Sequence, residues 1–251
     1  MPLPPPLTAL NSLDVQLAAS GYAVLDAATL ARLAGVPGDA LAAWQPLWDD
    51  LPPDGHLKDG GRYRRRRHGC FVVQPGQAVT LEPHRAHWQP VAYNALHGGI
   101  ERWFAPLHPP LVQDPAWAQL LQALAAVAGR LRGVPPDETW YVEAHPFRID
   151  TTDGIGRPTP EGAHRDGVDL VAVLLVSRVG IKGGETRVFD ARGPQGVRFT
   201  LTEPWSVLLL DDERVIHEST PIQPLDAAAG GHRDTLVLTL RRGGFQGPLA
   251  T

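Results

Sequence analysis

Apolar positions recur along this chain with two periods, and the change of period divides it. Between Pro115 and Arg132, the residues Trp117, Leu120, Leu121, Leu124, Val127, Ala128 and Leu131 fall at spacings of three and four. That is one stripe of an amphipathic helix, closed by Gly133 and Pro135, and its plainest partner is a sheet. From Thr139 onward the pattern turns to short β-rich runs: TWYVEAHPFRI, DLVAVLLV, TRVFD, VRFTL, SVLLLD, VIHEST and TLVLTL. Turn signals such as Gly183-Gly184, Gly193-Pro194 and Glu203-Pro204 separate many of them. Such spacing predicts an all-β sandwich or barrel, with a jelly roll as the natural candidate.

The N-terminal part mixes the two periods. A short helix is expected after Asn11 or Ser12, either of which suits an N-cap. GYAVLD reads as a strand, Thr29–Ala34 and Asp39–Trp48 as helices, and Arg62–Gln74 and Ala78–Leu81 as strands. No linker or repeat divides the chain. We therefore expect one domain over residues 1–251, with an extension over 1–135 packing on a core over 136–242 that carries the chemistry. The tail after Arg242, GGFQGPLAT, reads as loosely ordered.

Composition narrows the class. With 251 residues and 43% hydrophobic positions the chain can bury an ordinary core. No run approaches the roughly 18 apolar residues of a membrane span. The opening MPLPPPLTAL has neither the basic nor the apolar region of a signal peptide. A single cysteine, Cys70, leaves no intrachain disulfide framework. A cytoplasmic location without a membrane partner is expected, and Cys70 is expected as a small buried apolar residue. A net charge of −4 argues against a general nucleic-acid binder. The exception is RYRRRRHG, Arg62 to Gly69. On a strand, Arg62, Arg64 and Arg66 share one face and Tyr63, Arg65 and Arg67 the other. The run is either a solvated strand edge or a source of one arginine for an anionic substrate group.

Chemistry concentrates in three places. In EGAHRDGVDLVAVLLV, His164 and Asp166 stand two residues apart at the entrance to a strand, so both reach the same side. In DDERVIHEST, His217 lies inside a second β run. In HRDTLVLTL, Arg233 opens a third, with Thr235 two residues on. Each residue alone has an ordinary explanation: a solvated turn, a core histidine, or an ion pair of Arg233 with Asp234 or Glu218. Together, in this order, they form the two-His-one-carboxylate facial triad of non-haem iron, which leaves positions open on the metal. Arg233 adds a planar fork for the far carboxylate of 2-oxoglutarate, and Thr235 a hydroxyl for the same group. Asp211 and Asp212 read as turn residues or as supports of the triad. The remaining histidines, His56, His68, His84, His87, His97, His108, His145 and His232, read as surface or structural.

The segments GRPTPEGAHRDGVDLVAVLLVSR, IKGGETRVFD, LTEPWSVLLLDDERVIHESTPIQP and HRDTLVLTL resemble the bacterial 2-oxoglutarate/iron dioxygenases of the L-isoleucine dioxygenase type. YRRRRHGCF and YNALHGGIERWFAPL extend the resemblance, which covers roughly Leu51 to Arg242. It implies a mainly β fold with flanking helices around a double-stranded β-helix. It implies iron on His164, Asp166 and His217, 2-oxoglutarate on Arg233, O2 as co-substrate and stimulation by ascorbate. It also implies hydroxylation or sulfoxidation of a free aliphatic L-amino acid, with succinate and CO2 as co-products. One departure is Val168, where that group commonly carries an imidazole or another polar residue; it bears on the substrate, not on iron.

A zwitterionic substrate needs a cation and an acceptor. Arg148, Asp169, Arg64 and Arg66 are the sequence's candidates. A homodimer is one option for the assembly. Two rival readings remain at this point: a cupin-like metalloprotein such as an isomerase, although the His-x-His of cupins is missing, and a metal-free jelly-roll binding module.

Overall fold

The structure, a computed structural model, describes residues 2–94 and 96–248. A 3-10 turn (Leu10–Ser12) leads into α1 (Leu13–Ser20), β1 (Tyr22–Leu25), α2 (Ala27–Ala34) and a 3-10 helix (Ala42–Trp48). Then come β2 (Arg64–Arg66), β3 (Gly69–Val73), β4 (Thr80–Leu81), α3 (Pro109–Val112) and α4 (Pro115–Arg132). The C-terminal half is β5 (Trp140–Asp150), β6 (Leu170–Val179), β7 (Ile181–Gly183), β8 (Thr186–Asp190), β9 (Gly196–Phe199), β10 (Val207–Asp211), β11 (Val215–Ser219), β12 (Ile222–Pro224) and β13 (His232–Arg241).

The strands form a jelly-roll-type core of antiparallel sheets. The major sheet has the order β1-β10-β6-β13-β5-β3-β4, with β2 also pairing with β5. The minor sheet is β11-β8-β9, and β12 pairs with β7. Strand β6 shows how the sequence builds two layers from one strand. Leu170, Ala172, Leu174 and Val176 face the helices, while Val171 and Leu175 face Val188 and Phe199 of the minor sheet. A strand buried on both faces reads as a continuous apolar run instead of an alternating one, as DLVAVLLV does.

Helix α4 has the predicted bounds. The Asp114 carboxylate accepts the Ala116 N–H at 2.9 Å, Pro115 occupies the first turn, and Gly133 ends the helix at φ 60°. Its stripe packs on the major sheet, where Leu120, Leu121 and Leu124 are fully buried. Each such leucine contributes about 1.5–3 kcal/mol of apolar burial. Asp26 caps α2 in the same manner through the Thr29 N–H, whereas the Ser12 side chain makes no capping hydrogen bond to α1.

Four expectations differ from what forms. The run Asp39–Trp48 gives a turn and then a 3-10 helix, because Pro46 sits inside it and removes a donor. The expected strand Arg62–Gln74 splits into β2 and β3 at Arg67 and His68. Opposite that break is Pro146 of β5, which has no N–H to continue the ladder. The strands β1 to β4 belong to the major sheet, so the extension over 1–135 is woven into the core and does not merely pack on it. The tail is docked through Phe245, edge-on to Tyr141 at 5.1 Å, and through Gln246; residues 249–251 lie outside the described residues.

Candidate iron and 2-oxoglutarate site

One cavity opens on the inner face of β5 and β13, bounded by β11 and the segment before β6. His217 enters it from the middle of β11. His164 is fixed opposite by two backbone hydrogen bonds: the His164 N–H donates to the His217 carbonyl at 3.0 Å, and the His217 N–H donates to the His164 carbonyl at 2.9 Å. The rings therefore face one another, with centroids 4.6 Å apart. Asp166 follows on the same side, its Oδ1 3.8 Å from His164 Nε2. The donor atoms of His164, Asp166 and His217 lie within 4.8 Å of one another.

The neighbours of these donors set their states. His164 Nδ1 lies 3.0 Å from the Gly162 carbonyl. A carbonyl only accepts, so Nδ1 carries the proton and the Nε2 lone pair points at the site. His217 Nδ1 is buried without a hydrogen-bond partner among the described residues. Burial drives the Asp166 carboxyl upward, against the pull of His164. Burial also disfavours the charged form of His164, but Asp166 and Glu161 outweigh it and raise its pKa. This is a set of donors short of a cation.

The loop that carries Asp166 is clamped. The carboxylate of Asp212 accepts the N–H groups of Asp166, Gly167 and Val168 at 3.0, 2.7 and 3.1 Å. Gln246 donates to the carbonyls of Asp166 and Gly167, both at 3.0 Å. Gly167 has φ 77°, and a Cβ there would meet the Tyr93 ring at 2.5 Å, so the turn accepts only glycine without strain. Asp212 thus supports the triad through the backbone. Asp211 binds Arg132 at 2.7 Å and closes the turn before β11.

Arg233 and Thr235 both line the cavity from β13. Arg233 is 4% exposed, and its Nε has no partner among the described residues. The two acids a structural ion pair would use are engaged elsewhere: Asp234 with Arg148, and Glu218 with Arg187. Burial, with Arg178 nearby, pushes the Arg233 guanidinium down to about 10. A buried cation with no counter-ion is expensive, and it marks a place built for an anion.

Of the four candidates for substrate contacts, two reach the cavity. Arg64 lines it while its Nε binds Asp54 at 2.6 Å. Arg66 lies between the rings of Phe104 and Phe147, 3.9 and 4.3 Å from their centroids. Arg148 and Asp169 do not line it. Arg148 alternates with Phe147 and Ile149, which do line the cavity, so it points to the other side of β5, onto Asp234 and Asp49. Asp169 follows the cavity residue Val168 and turns away, onto Arg132 and Arg242. The arginine run is no solvated edge: Arg64 and Arg66 are buried, while Arg62 pairs with Asp153 at the surface and Tyr63 is buried.

Sequence reasoning missed several wall residues. Gln89 donates to Asp166 Oδ1 at 3.1 Å, while its carbonyl accepts from Asn94 and Arg102 at 3.0 and 2.9 Å. His87 and His145, read as surface or structural, line the cavity beside Glu143, with His68 behind them. Cys70 is buried as expected.

The family profile for 2OG-Fe dioxygenases matches residues 45–239, more than half of the chain. The chain belongs to the 2OG-Fe dioxygenase family. A crystal structure of a bsmA homolog from Methylobium petroleophilum PM1 is 59% identical, with 96% of each chain covered and a TM-score of 0.90. The fold is shared with IDO from Bacillus thuringiensis, 15% identical over 94% of this chain and 97% of that one, TM-score 0.74. It is also shared with the Fe(II)/(alpha)ketoglutarate-dependent dioxygenase TqaL, 21% identical over 96% and 90%, TM-score 0.68. Among curated proteins none matches the chain.

Membership makes the protein an oxidoreductase that uses Fe(II), 2-oxoglutarate and O2, and the cupin-isomerase and metal-free readings fall. The residues present fit those groups: a cation-deficient two-His-one-carboxylate set, and in the same cavity a buried arginine without a counter-ion among the described residues. No helix among the described residues is long and apolar enough to cross a membrane.

Proposed function

We propose that this dioxygenase oxidises a free L-amino acid with an aliphatic or thioether side chain, as the resemblance to the L-isoleucine dioxygenase type implies. His164, Asp166 and His217 hold the iron. Arg233 takes the far carboxylate of 2-oxoglutarate, with Thr235 beside it on the same face of β13. When bound, iron and 2-oxoglutarate supply the oxidising chemistry: the oxo acid is split to succinate and CO2, and one oxygen atom of O2 passes to a C–H bond or a sulfur of the substrate. The chain's own residues position and exclude. Asp212 and Gln246 fix the loop bearing Asp166, and Gln89 orients its carboxylate.

One observation carries the substrate reading. Beyond the iron donors and Arg233, the cavity wall presents buried charge of both signs, with Arg66 and Arg102 against Glu143 and with half-buried Glu161 nearby, next to an apolar stretch that includes Val168, Val237 and Phe147. A small ligand with one cationic end, one anionic end and an apolar side chain matches that inventory, and a singly charged or neutral one leaves a buried charge unpaired. The test is incubation with iron, ascorbate, 2-oxoglutarate and a panel of amino acids, measuring succinate together with a product heavier by one oxygen atom. Coupled turnover with isoleucine, leucine or methionine is expected. Coupling only with peptides, nucleotides or N-acylated compounds overturns the reading and leaves the family chemistry standing.

A further inference from the structure

A second cluster of buried titratable groups lies in the cavity wall. Glu143 Oε2 is 2.6 Å from His87 Nδ1, 3.2 Å from His68 Nε2 and 3.6 Å from His145 Nε2. Their donor atoms all lie within 4.8 Å of one another. That spacing suits a metal ion, and it equally suits a carboxylate wrapped in N–H donors.

Proton positions separate the two. Arg66 Nη2 is 2.7 Å from His145 Nδ1. A guanidinium only donates, so Nδ1 accepts, and the neutral ring carries its proton on Nε2, towards Glu143. Burial keeps His145 neutral and lowers His87 to about 3. A metal at His145 Nε2 would move that proton to Nδ1, against Arg66. Arg66 and Arg102 would also stand as buried cations beside the added charge. With the ring nitrogens of His87 and His68 within hydrogen-bond distance of Oε2 and that of His145 3.6 Å away, Glu143 stays ionised despite its burial. Its other oxygen, Oε1, takes no hydrogen bond from the described residues and is not sealed off, and Glu143 lines the cavity.

A cation of opposite use stands next to it. His87 and Arg102 exchange both backbone hydrogen bonds, at 2.9 and 3.0 Å, so the histidine that holds Glu143 and the arginine leave one bridge. Arg102 is 2% exposed; among the described residues its Nε is without a partner and its side chain bonds only to Gln89. Gln89 in turn holds Asp166.

We propose that Glu143 receives the ammonium group of the amino acid substrate and Arg102 its carboxylate, with Gln89 tying this subsite to the Asp166 loop. This rests on the free-amino-acid reading and names the residues that enforce it. His68, His87 and His145 are positioning residues for Glu143, and they are not metal ligands.

The experiment is anaerobic equilibrium binding of L-isoleucine, of its des-amino acid 3-methylpentanoate and of L-isoleucinamide. The proteins are the iron- and 2-oxoglutarate-loaded wild type, Glu143→Gln and Arg102→Gln. Truncating one partner of a buried charge pair weakens binding by about tenfold or more. Wild type should therefore bind isoleucine at least about tenfold more tightly than 3-methylpentanoate, a comparison that needs no variant to fold. Glu143→Gln should weaken isoleucine and leave 3-methylpentanoate unchanged. Arg102→Gln should weaken both carboxylates and leave the amide unchanged. Equal losses for isoleucine and 3-methylpentanoate in Glu143→Gln would show a merely structural role and overturn the proposal, as would no loss at all. Failure of every panel amino acid to bind would overturn the free-amino-acid reading with it. Metal analysis should find one equivalent per chain, lost in His217→Ala. A second equivalent, lost in His87→Ala alone, would make the cluster a metal site and refute the assignment.

Discussion

Replacing Arg233 with Gln should do two opposite things. In the protein without 2-oxoglutarate, the guanidinium is a buried charge with no acid paired to it among the described residues. Its fall from 12.5 to about 10 corresponds to about 3 kcal/mol against the charged form. Arg233 is 4% exposed, so solvent screening removes little of this. The neutral variant is relieved of that penalty, and its stability without co-substrate should be equal to wild type or higher by up to about 3 kcal/mol. With 2-oxoglutarate the order reverses. The wild-type cation meets its anion, and losing one partner of such a pair costs about 2–5 kcal/mol of binding, a weakening of at least about tenfold. Thermal melting of the metal-loaded protein, with and without saturating 2-oxoglutarate, reads both effects, because a ligand that binds only the folded state raises the melting temperature. The wild type should be the less stable form without 2-oxoglutarate and should show the larger rise with it. A variant that melts lower than wild type without ligand, yet keeps the full ligand-induced rise, would refute the reasoning and move the co-substrate anion to another cation.

Three further outcomes follow from the geometry. Asp212→Ala removes the acceptor of three backbone N–H groups in the ligand loop and should weaken iron binding by about 10–100-fold; a metal titration giving wild-type affinity would contradict this. Gly167→Ala forces a Cβ into φ 77° and against the Tyr93 ring, at a cost of about 1–3 kcal/mol in urea denaturation; an unchanged midpoint would show that the loop is looser than drawn. For pH, burial lowers His87 to about 3, whereas an unperturbed histidine in the unfolded chain titrates near about 6.5. Between those values the unfolded chain binds a proton that the folded chain refuses. Stability is therefore complete above the unfolded value and falls as pH falls, by at most about 1.4 kcal/mol per pH unit for this residue. His68 and His145, also lowered by burial, act in the same direction. A urea midpoint constant from about pH 7 to about pH 5 would show that these histidines are already charged when buried.

Much of the candidate iron site was legible because its residues lie on strands or on the extended chain that leads into one. His164 and Asp166 are two apart on extended chain, His217 and Arg233 lie within strands, and alternation alone predicts that Arg233 and Thr235 share a side. The same parity, applied locally, would have excluded Asp169, which stands an odd number of residues from Asp166, but not Arg148. Arg148 stands between Phe147 and Ile149, and the side of β5 that faces the cavity becomes known only once the sheet is assembled. The wall of His87, Gln89 and Arg102 was not legible. Those residues lie in an irregular segment joined, among the described residues, by the isolated bridge between His87 and Arg102, so no period announces them. Glu143 and His145 alternate correctly on β5, but their partners come from positions 68 and 87. Strands β7 and β12, of three residues each, are too short to show a period. The stop at Pro146 and the 3-10 helix around Pro46 were visible as prolines, yet the break opposite Pro146 falls in a strand that pairs with it only in three dimensions.

The most direct measurement of the central claim is anaerobic titration of 2-oxoglutarate into Fe(II)-loaded protein, followed by the weak visible charge-transfer band of a chelated 2-oxo acid. Wild type should develop the band and saturate at one 2-oxoglutarate per chain. Asp166→Ala and His217→Ala should lose it, and Arg233→Gln should need at least about tenfold more ligand. An unchanged band in Asp166→Ala or His217→Ala, or an unshifted titration in Arg233→Gln, would contradict the assignment of iron and 2-oxoglutarate to these residues.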